Sequence, residues 1–293
     1  MEIELDYNAF KNKDWSVSVG ANATFVKNKI KNLPATMKEN GYISGSKKWL
    51  EGKSIYEFWL RQWHGVDPQT GDGLYVADVS KYNQGNIGTG DGNITQSQFD
   101  EYKKTVVTID GKELTNSYTY AKYDFSGSSI PDVFGGFNVR VSYKNFDLAA
   151  VFSYQLGGQV LDTNYATMMS MTEFGYAQSP DLLKAWKQAG DITEVPRIDN
   201  SAAHTTNIGQ SYSTRWLTSS DYLNLRSVTI GYQFPKAWLS KVMLKSARLN
   251  LTAENLFMLK ARQGLNPMAN YSGVTYNEYM PSRNITLGLN VSF

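Results

Sequence analysis

The last eleven residues of the chain, Arg283 to Phe293, alternate without a break. Ile285, Leu287, Leu289, Val291 and Phe293 fall on one side, and Asn284, Thr286, Gly288, Asn290 and Ser292 on the other. Period two is the mark of a β-strand, whose successive side chains point to opposite faces. In a soluble sheet the apolar face packs on a core, and a chain end usually trails into polar residues. Here the apolar face persists to the C-terminal aromatic. That pattern suits a strand with lipid on one side and a polar lumen on the other.

Composition agrees with this. Tyr (19), Trp (7), Phe (13) and Gly (24) are abundant and Cys is absent, while mean hydropathy is negative at -0.41. A membrane helix needs about twenty consecutive apolar residues, and stretches such as Leu148 to Phe152 fall far short. Barrel strands leave no such run, so low hydropathy and a membrane location are compatible. The net charge of +2, with Lys and Arg scattered, gives no reason to invoke nucleic acid. Without cysteine there is neither a disulfide framework nor a thiolate metal site. Met1-Glu-Ile-Glu-Leu-Asp6 opens as an alternating strand rather than a signal peptide, so the chain is expected to begin within a longer protein.

The same alternation recurs along the chain. It spans Trp15 to Phe25, then Phe137 to Tyr143, and resumes after Lys144-Asn145 through Phe146 to Tyr154, a hairpin pattern. It returns at Val228 to Phe234 and at Ala247 to Ala253; weaker strands are expected at Ile3 to Ala9, Ile55 to Trp63 and Leu74 to Asp78. About ten tilted residues cover the height of roughly 25 Å of an outer-membrane apolar band. Connections alternate in length. Phe10 to Asp14, Asp67 to Gly73, Lys144-Asn145 and Pro235 to Lys245 are short, whereas Lys27 to Ser54, Val79 to Val133, Gly157 to Ser220 and Phe257 to Pro281 are long. Outer-membrane barrels place short turns on the periplasmic side and long loops outside.

This predicts an all-β, antiparallel transmembrane barrel wall of roughly nine strands, with Phe293 at the periplasmic end. The inward face carries Asn138, Arg140, Ser142, Arg248, Asn250 and Glu254 as candidate lumen lining. Charges there would be costly in a packed core but cheap in a water-filled lumen. An odd number of strands would close on parallel edges, whereas bacterial barrels close antiparallel with an even count. The strands are therefore expected to form the C-terminal part of a larger barrel.

The residues also resemble a known family. Asp221-Tyr-Leu-Asn-Leu-Arg-Ser-Val-Thr-Ile-Gly-Tyr-Gln-Phe-Pro235, Ala253-Glu-Asn-Leu-Phe-Met-Leu259 and Gln263-Gly-Leu-Asn-Pro267 are similar to the C-terminal third of SusC/RagA-type TonB-dependent outer-membrane transporters. Gly65-Val-Asp-Pro-Gln-Thr-Gly71, Ile130-Pro-Asp-Val-Phe-Gly-Gly-Phe137, Tyr143-Lys-Asn-Phe-Asp-Leu148 and Trp186-Lys-Gln-Ala-Gly-Asp-Ile-Thr-Glu-Val-Pro-Arg197 extend the resemblance over nearly the whole chain. It implies residues 1–293 of a barrel of about 22 strands in the outer membrane of a Gram-negative cell, with plug domain, TonB box and early strands outside this chain. It further implies import of an oligosaccharide or peptide, a SusD-like surface lipoprotein over the extracellular face, and TonB acting from the periplasm; no cofactor is implied. The family's assembly signal maps onto Thr286, Gly288, Val291 and Phe293. Family members commonly carry Asp-Pro-Glu where this chain reads Asn266-Pro267-Met268, so no carboxylate role is carried over there.

Other candidates have plain readings. Asp91-Gly-Asn-Ile-Thr95 resembles part of a calcium loop, but Ile87, Thr89 and Gln98 would occupy ligand positions, which favours a solvated turn. His64 and His204 lie in unrelated segments without a second ligand at metal spacing, and no set of nucleophile, base and orienter points to an enzyme. Ser179 to Gly190 reads as a short capped helix in a long loop. Trp186 and Asp191 there are candidate contacts with substrate or partner, against the simpler reading that Leu182, Leu183 and Trp186 anchor the loop to itself.

The main rival is a soluble all-β glycan-binding or structural protein, in which Val17, Phe152, Ile230 and Leu289 would be buried between two sheets. A membrane-embedded hydrolase barrel is the third class, and two distant histidines speak against it. From strand parity, the isolated chain refolded in detergent is expected to give no stable closed pore. A compact, heat-modifiable, conducting species formed by it alone would overturn this.

Overall fold

A computed structural model describes residues 1–170, 175, 177–209, 212–268 and 270–293. Seven long strands make one antiparallel wall: β1 (Glu2–Lys11), β2 (Trp15–Thr24), β3 (Val133–Tyr143), β4 (Phe146–Leu156), β5 (Tyr222–Gln233), β6 (Ser246–Glu254) and β7 (Asn284–Ser292). They pair in chain order, and a short eighth strand, Met258–Lys260, extends the ladder on β5. Each wall strand pairs with the next in sequence, as local connections favour.

Register makes the two faces continuous. Tyr7, Val19, Val139, Ala150, Val228, Ala253 and Ile285 follow one another across the wall, as do Leu148, Ile230, Leu251 and Leu287. One-residue bulges, at Ala9 in β1 and Arg226 in β5, keep apolar side chains together where the count would otherwise slip. Among the described residues no second sheet covers this face. Ile230, in the interior of the wall, is 48% exposed, and Leu289 is 62% exposed. Val17 and Phe152 are only partly buried. The sandwich geometry is thus not found: the large buried clusters lie elsewhere.

Three short turns join β1 to β2, β3 to β4 and β5 to β6 at one end of the wall. At the other end, residues 25–132, 157–221 and 255–283 leave the wall as long excursions and return. Glu254 pairs with Asn284 and Ser246 with Ser292, so Phe293 ends at the short-turn side. These excursions are folded rather than structureless. They contain two four-stranded sheets, a two-stranded one, and the helix Gln96–Thr105.

Two expected wall strands belong to this cap instead. Glu57–Arg61 pairs with Tyr123–Ser128, and Gly73–Val76 lies between Trp63–Val66 and Lys112–Thr115. Asp67 to Gly73 accordingly closes a cap hairpin, not a turn at the short-turn end. The reason is physical. Phe58 and Leu60 are fully buried in the cap core, while Trp59 on the opposite face lies against Tyr123 and Phe125. Alternation reports two unlike faces without saying whether the apolar one meets lipid or protein. The seven long strands still alternate in direction, so β1 and β7 run the same way, and they do not pair with each other.

On the polar face, one ion pair crosses a whole strand. Arg248 Nη2 on β6 reaches Asp147 on β4 at 2.7 Å to each carboxylate oxygen, passing over β5 at Gly231. A Cβ at Gly231 would sit 2.3 Å from that nitrogen and 2.6 Å from Asp147 Oδ1. Gly231→Val is expected to break the bridge and destabilise the wall by about 1–3 kcal/mol. The measurement is folded yield in the outer membrane and the urea midpoint in vesicles; values equal to wild type would contradict it.

Candidate functional site

The cap is held by a core drawn from all three excursions. Phe58 and Leu60 come from the first, Leu161, Ala166, Met169, Ala185, Val195 and Trp216 from the second, and Val274 from the third. A second cluster, Ala77, Tyr82, Ile94, Phe99, Tyr102 and Tyr120, lies within the first excursion alone. Backbone pairing adds stitches: Leu161 N donates to Gly273 O at 2.7 Å, and Thr275 N to Leu161 O at 3.2 Å. Between them, the buried carboxylate of Asp162 accepts from Tyr165 N, Thr275 Oγ1 and Arg262 Nη1. A buried carboxylate needs such donors to offset its lost hydration.

Two cavities open in this region. The first, of about 220 Å³, lies where the cap meets the ends of β3, β4 and β5, lined by Phe134, Gln155, Gln159, Tyr222, Asn270 and Tyr271. Phe134, Gln155 and Tyr222 are register partners on the same face as Asn138 and Asp147, so this cavity caps the polar side of the wall. Its lining is amide and phenol rather than charge. Gln155 Nε2 donates to Ser220 Oγ at 2.8 Å, while Gln159 Oε1 is buried without a hydrogen-bond donor among the described residues. Such groups suit a neutral polar ligand, which can supply the donor.

Lys47 stands behind that cavity. Its Nζ donates to Tyr56 O at 2.8 Å and Ser129 Oγ at 3.2 Å, and it lies over the Phe58 ring. Ser129 Oγ in turn donates to Tyr271 O, tying the first excursion to the third. Burial lowers the Lys47 ammonium to about 7, with Glu57 pulling weakly the other way.

The second cavity, of about 350 Å³, is lined by Trp63, Tyr165, Glu194, Arg215, Trp216 and Arg262, among others. Arg215 lies between the Trp63 and Trp216 rings, at 4.7 and 4.3 Å from their centroids. Arg262 lies 3.6 Å from the Tyr165 centroid. Loss of hydration lowers Arg215 to about 10, opposed by Tyr75 and Tyr165, so it keeps its charge at neutral pH.

The candidates from the sequence are placed as follows. Asn138, Arg140 and Ser142 on β3 share the polar face with Arg248, Asn250 and Glu254 on β6. Arg248 is committed within the wall, to Asp147 and to Asn250 Oδ1 at 2.8 Å. Glu254 accepts from Asn284 Nδ2 at 3.3 Å. In β7, Thr286 lies opposite Thr252, Gly288 opposite Asn250 and Val291 opposite Ala247, with Phe293 just beyond the ladder.

Trp186 does not lie in a helix. The expected helix from Ser179 is a single 3-10 turn, Pro180–Lys184, capped by Ser179 Oγ. Trp186 Nε1 donates to Pro68 O at 2.9 Å, and the ring packs so tightly on Gly71 that a Cβ there would come within 2.4 Å. Trp186 therefore anchors the second excursion to the first. Asp191 accepts from the backbone of Lys187 and Gln188, closing its own turn.

Sequence reasoning missed the helix Gln96–Thr105, although Thr95 and Gln98 spell a capping box and make both of its hydrogen bonds. Asp91 to Thr95 is the turn that feeds this helix. The Arg215 cluster had no such signal. Trp63 N meets Thr214 Oγ1 across 151 residues of sequence, and no spacing rule spans that distance.

No family model matches the chain. It is similar, however, to the TonB-dependent receptor P3 of Formosa agariphila, 26% identical over 310 residues, covering all of this chain and 28% of that protein. The TonB-dependent receptor P39 of the same organism is 24% identical over 341 residues, covering 99% of this chain and 31% of the relative. Its fold also matches the RagAB peptide transporter, with a TM-score of 0.74 at 22% identity, over all of this chain and 29% of that one. Over its whole length the chain is similar to TonB-dependent receptors, and it shares the fold of a stretch of the RagAB transporter. These are outer-membrane β-barrel proteins. The RagAB peptide importer in its closed-closed state matches equally, with a TM-score of 0.74 at 24% identity. The chain spans less than a third of the length of these relatives. Their names are those of receptors and transporters, not of enzymes.

The Lys47 contact generates a pH dependence. An unfolded lysine holds its proton up to about 10.5, the buried one only to about 7. Between these values the unfolded state binds more protons, so stability rises with pH through that window. Below about 7 both states are protonated and the cost of burying the charge is carried in full. Cap melting temperature in the membrane-inserted protein should rise between about pH 6.5 and 9.5, and Lys47→Met should flatten the rise. An unchanged slope in the variant would exclude Lys47 as its source.

Proposed function

We propose that the chain supplies the C-terminal barrel wall and the folded extracellular cap of an outer-membrane importer for a large nutrient, an oligosaccharide or peptide. The observation that carries this reading is the division of the molecule. A wall with one uncovered apolar face ends, on its polar face, at a cap whose cavities are lined by amides, phenols and stacked guanidinium groups. The uncovered face suits outer-membrane lipid as its solvent, and the polar one a lumen. Asn138, Arg140 and Ser142 would then line the passage.

The reading includes partners. A SusD-like surface lipoprotein closing over the cap, and TonB acting from the periplasm on a plug carried by another part of the protein, would gate the passage. Support for the first is the likeness to the RagAB assemblies; the second follows the name of the relatives. Trp186 and Asp191 help shape the outer surface on which substrate and lipoprotein would bear. The mechanism is binding and gated passage, and no bond is broken.

The absence of native cysteine allows a clean topology test. A single cysteine at Ile192, 97% exposed in the cap, is expected to react on intact cells with a bulky membrane-impermeant maleimide. One at Lys13, exposed in the turn between β1 and β2, is expected to react only after the outer membrane is permeabilised. Equal labelling of both sites, or the reverse order, would sink the reading.

A further inference from the structure

The second cavity holds a cation whose usual counterpart is missing from its described surroundings. The Arg215 guanidinium carbon lies over both the Trp63 and the Trp216 rings, 4.7 and 4.3 Å from their centroids. A guanidinium held over aromatic rings keeps N–H donors for other partners, and Arg215 lines the cavity. A guanidinium has five donors, and the bond from Nη1 to Ile208 O at 3.1 Å uses one of them. Among the described residues no carboxylate lies within ion-pair distance of Arg215. Arg262, its neighbour across Tyr165, is by contrast already matched by Asp162 at 3.1 Å.

We propose that this cavity is a carboxylate subsite for the imported ligand, in which Arg215, held between Trp63 and Trp216, donates paired N–H groups to an acid group on the nutrient. The inference rests on the import reading and sharpens it to substrate class. Paired, charge-assisted hydrogen bonds to a carboxylate are among the stronger polar contacts, and a planar guanidinium matches that geometry better than an ammonium. The cavity, about 350 Å³, has room for the acid and the residue bearing it. Trp63, Arg215 and Arg262 come from the first, second and third excursions respectively, so the subsite exists only in the assembled cap. Glu194, exposed on the same cavity, opposes an incoming anion. An acidic peptide and a uronic-acid oligosaccharide would present the same group.

The test uses outer-membrane vesicles carrying the protein and four probes: tetraglutamate, tetraglutamine, tetragalacturonate and its methyl ester. At least one acid is expected to be captured about tenfold or more above its neutral counterpart, and the arm that shows this identifies the source. Arg215→Lys should remove most of that preference, because one ammonium cannot reproduce the fork. Glu194→Gln, a change at an exposed position that leaves Arg215 and its stack in place, should raise acid capture about two- to threefold. Equal capture of acid and neutral probes, or a preference that survives Arg215→Lys and ignores Glu194→Gln, overturns the subsite. It does so without touching the import reading, whose own failure would be mislocated cysteine labels.

Discussion

Hydrogen bonding of the backbone in a medium without water is the constraint from which the rest follows. A strand facing lipid cannot leave its peptide groups unpaired, because each would cost several kcal/mol. The wall answers with an uninterrupted antiparallel ladder from β1 to β7, each strand joined to its neighbour in sequence. Once the ladder is fixed, side-chain direction is fixed too, and a slip of one residue would turn apolar side chains onto the polar face. The bulges at Ala9 and Arg226 absorb the two places where strand lengths do not match. Gly231 clears a path so that Arg248 and Asp147 can bind across β5.

The ladder also determines where a hydrophobic core can form. With the wall's apolar face turned to its surroundings, the chain concentrates buried bulk in the cap, around Phe58, Leu161, Trp216 and Val274. Some polar groups enter that core in matched sets, such as Asp162 with Arg262 and Thr275. Arg215 has no carboxylate partner among the described residues, and its place over two indole rings helps to hold a charge there.

Legibility in the sequence followed the range of the physics. The hairpin of β3 and β4 could be read because Lys144-Asn145 separates two alternating runs, and β7 because its alternation is unbroken. The turns between β1 and β2, β3 and β4, and β5 and β6 were plain from length, but Asp67 to Gly73 read as one of them and belongs to the cap. Phe58 and Leu60 misled, since a strand in a protein core and one in a membrane share the same period. Trp186 read as an anchor of its loop to itself, whereas its partner is Pro68, because nothing local encodes a contact over 118 residues. The Trp63–Arg215–Trp216 stack lay beyond reach for the same reason, while the capping box at Thr95 was readable and overlooked.

The shared core of the cap has a consequence for the order of events during assembly. Phe58 and Leu60 precede β3, Leu161 and Trp216 lie between β4 and β5, and Val274 comes just before β7. Contacts between segments so far apart form slowly, because long stretches of chain must first be brought together. The wall grows through neighbouring hairpins, whereas the core closes only when the last excursion arrives. A sealed cap would thus record that all three excursions are in place, and a chain stalled before β7 would leave its core without Val274.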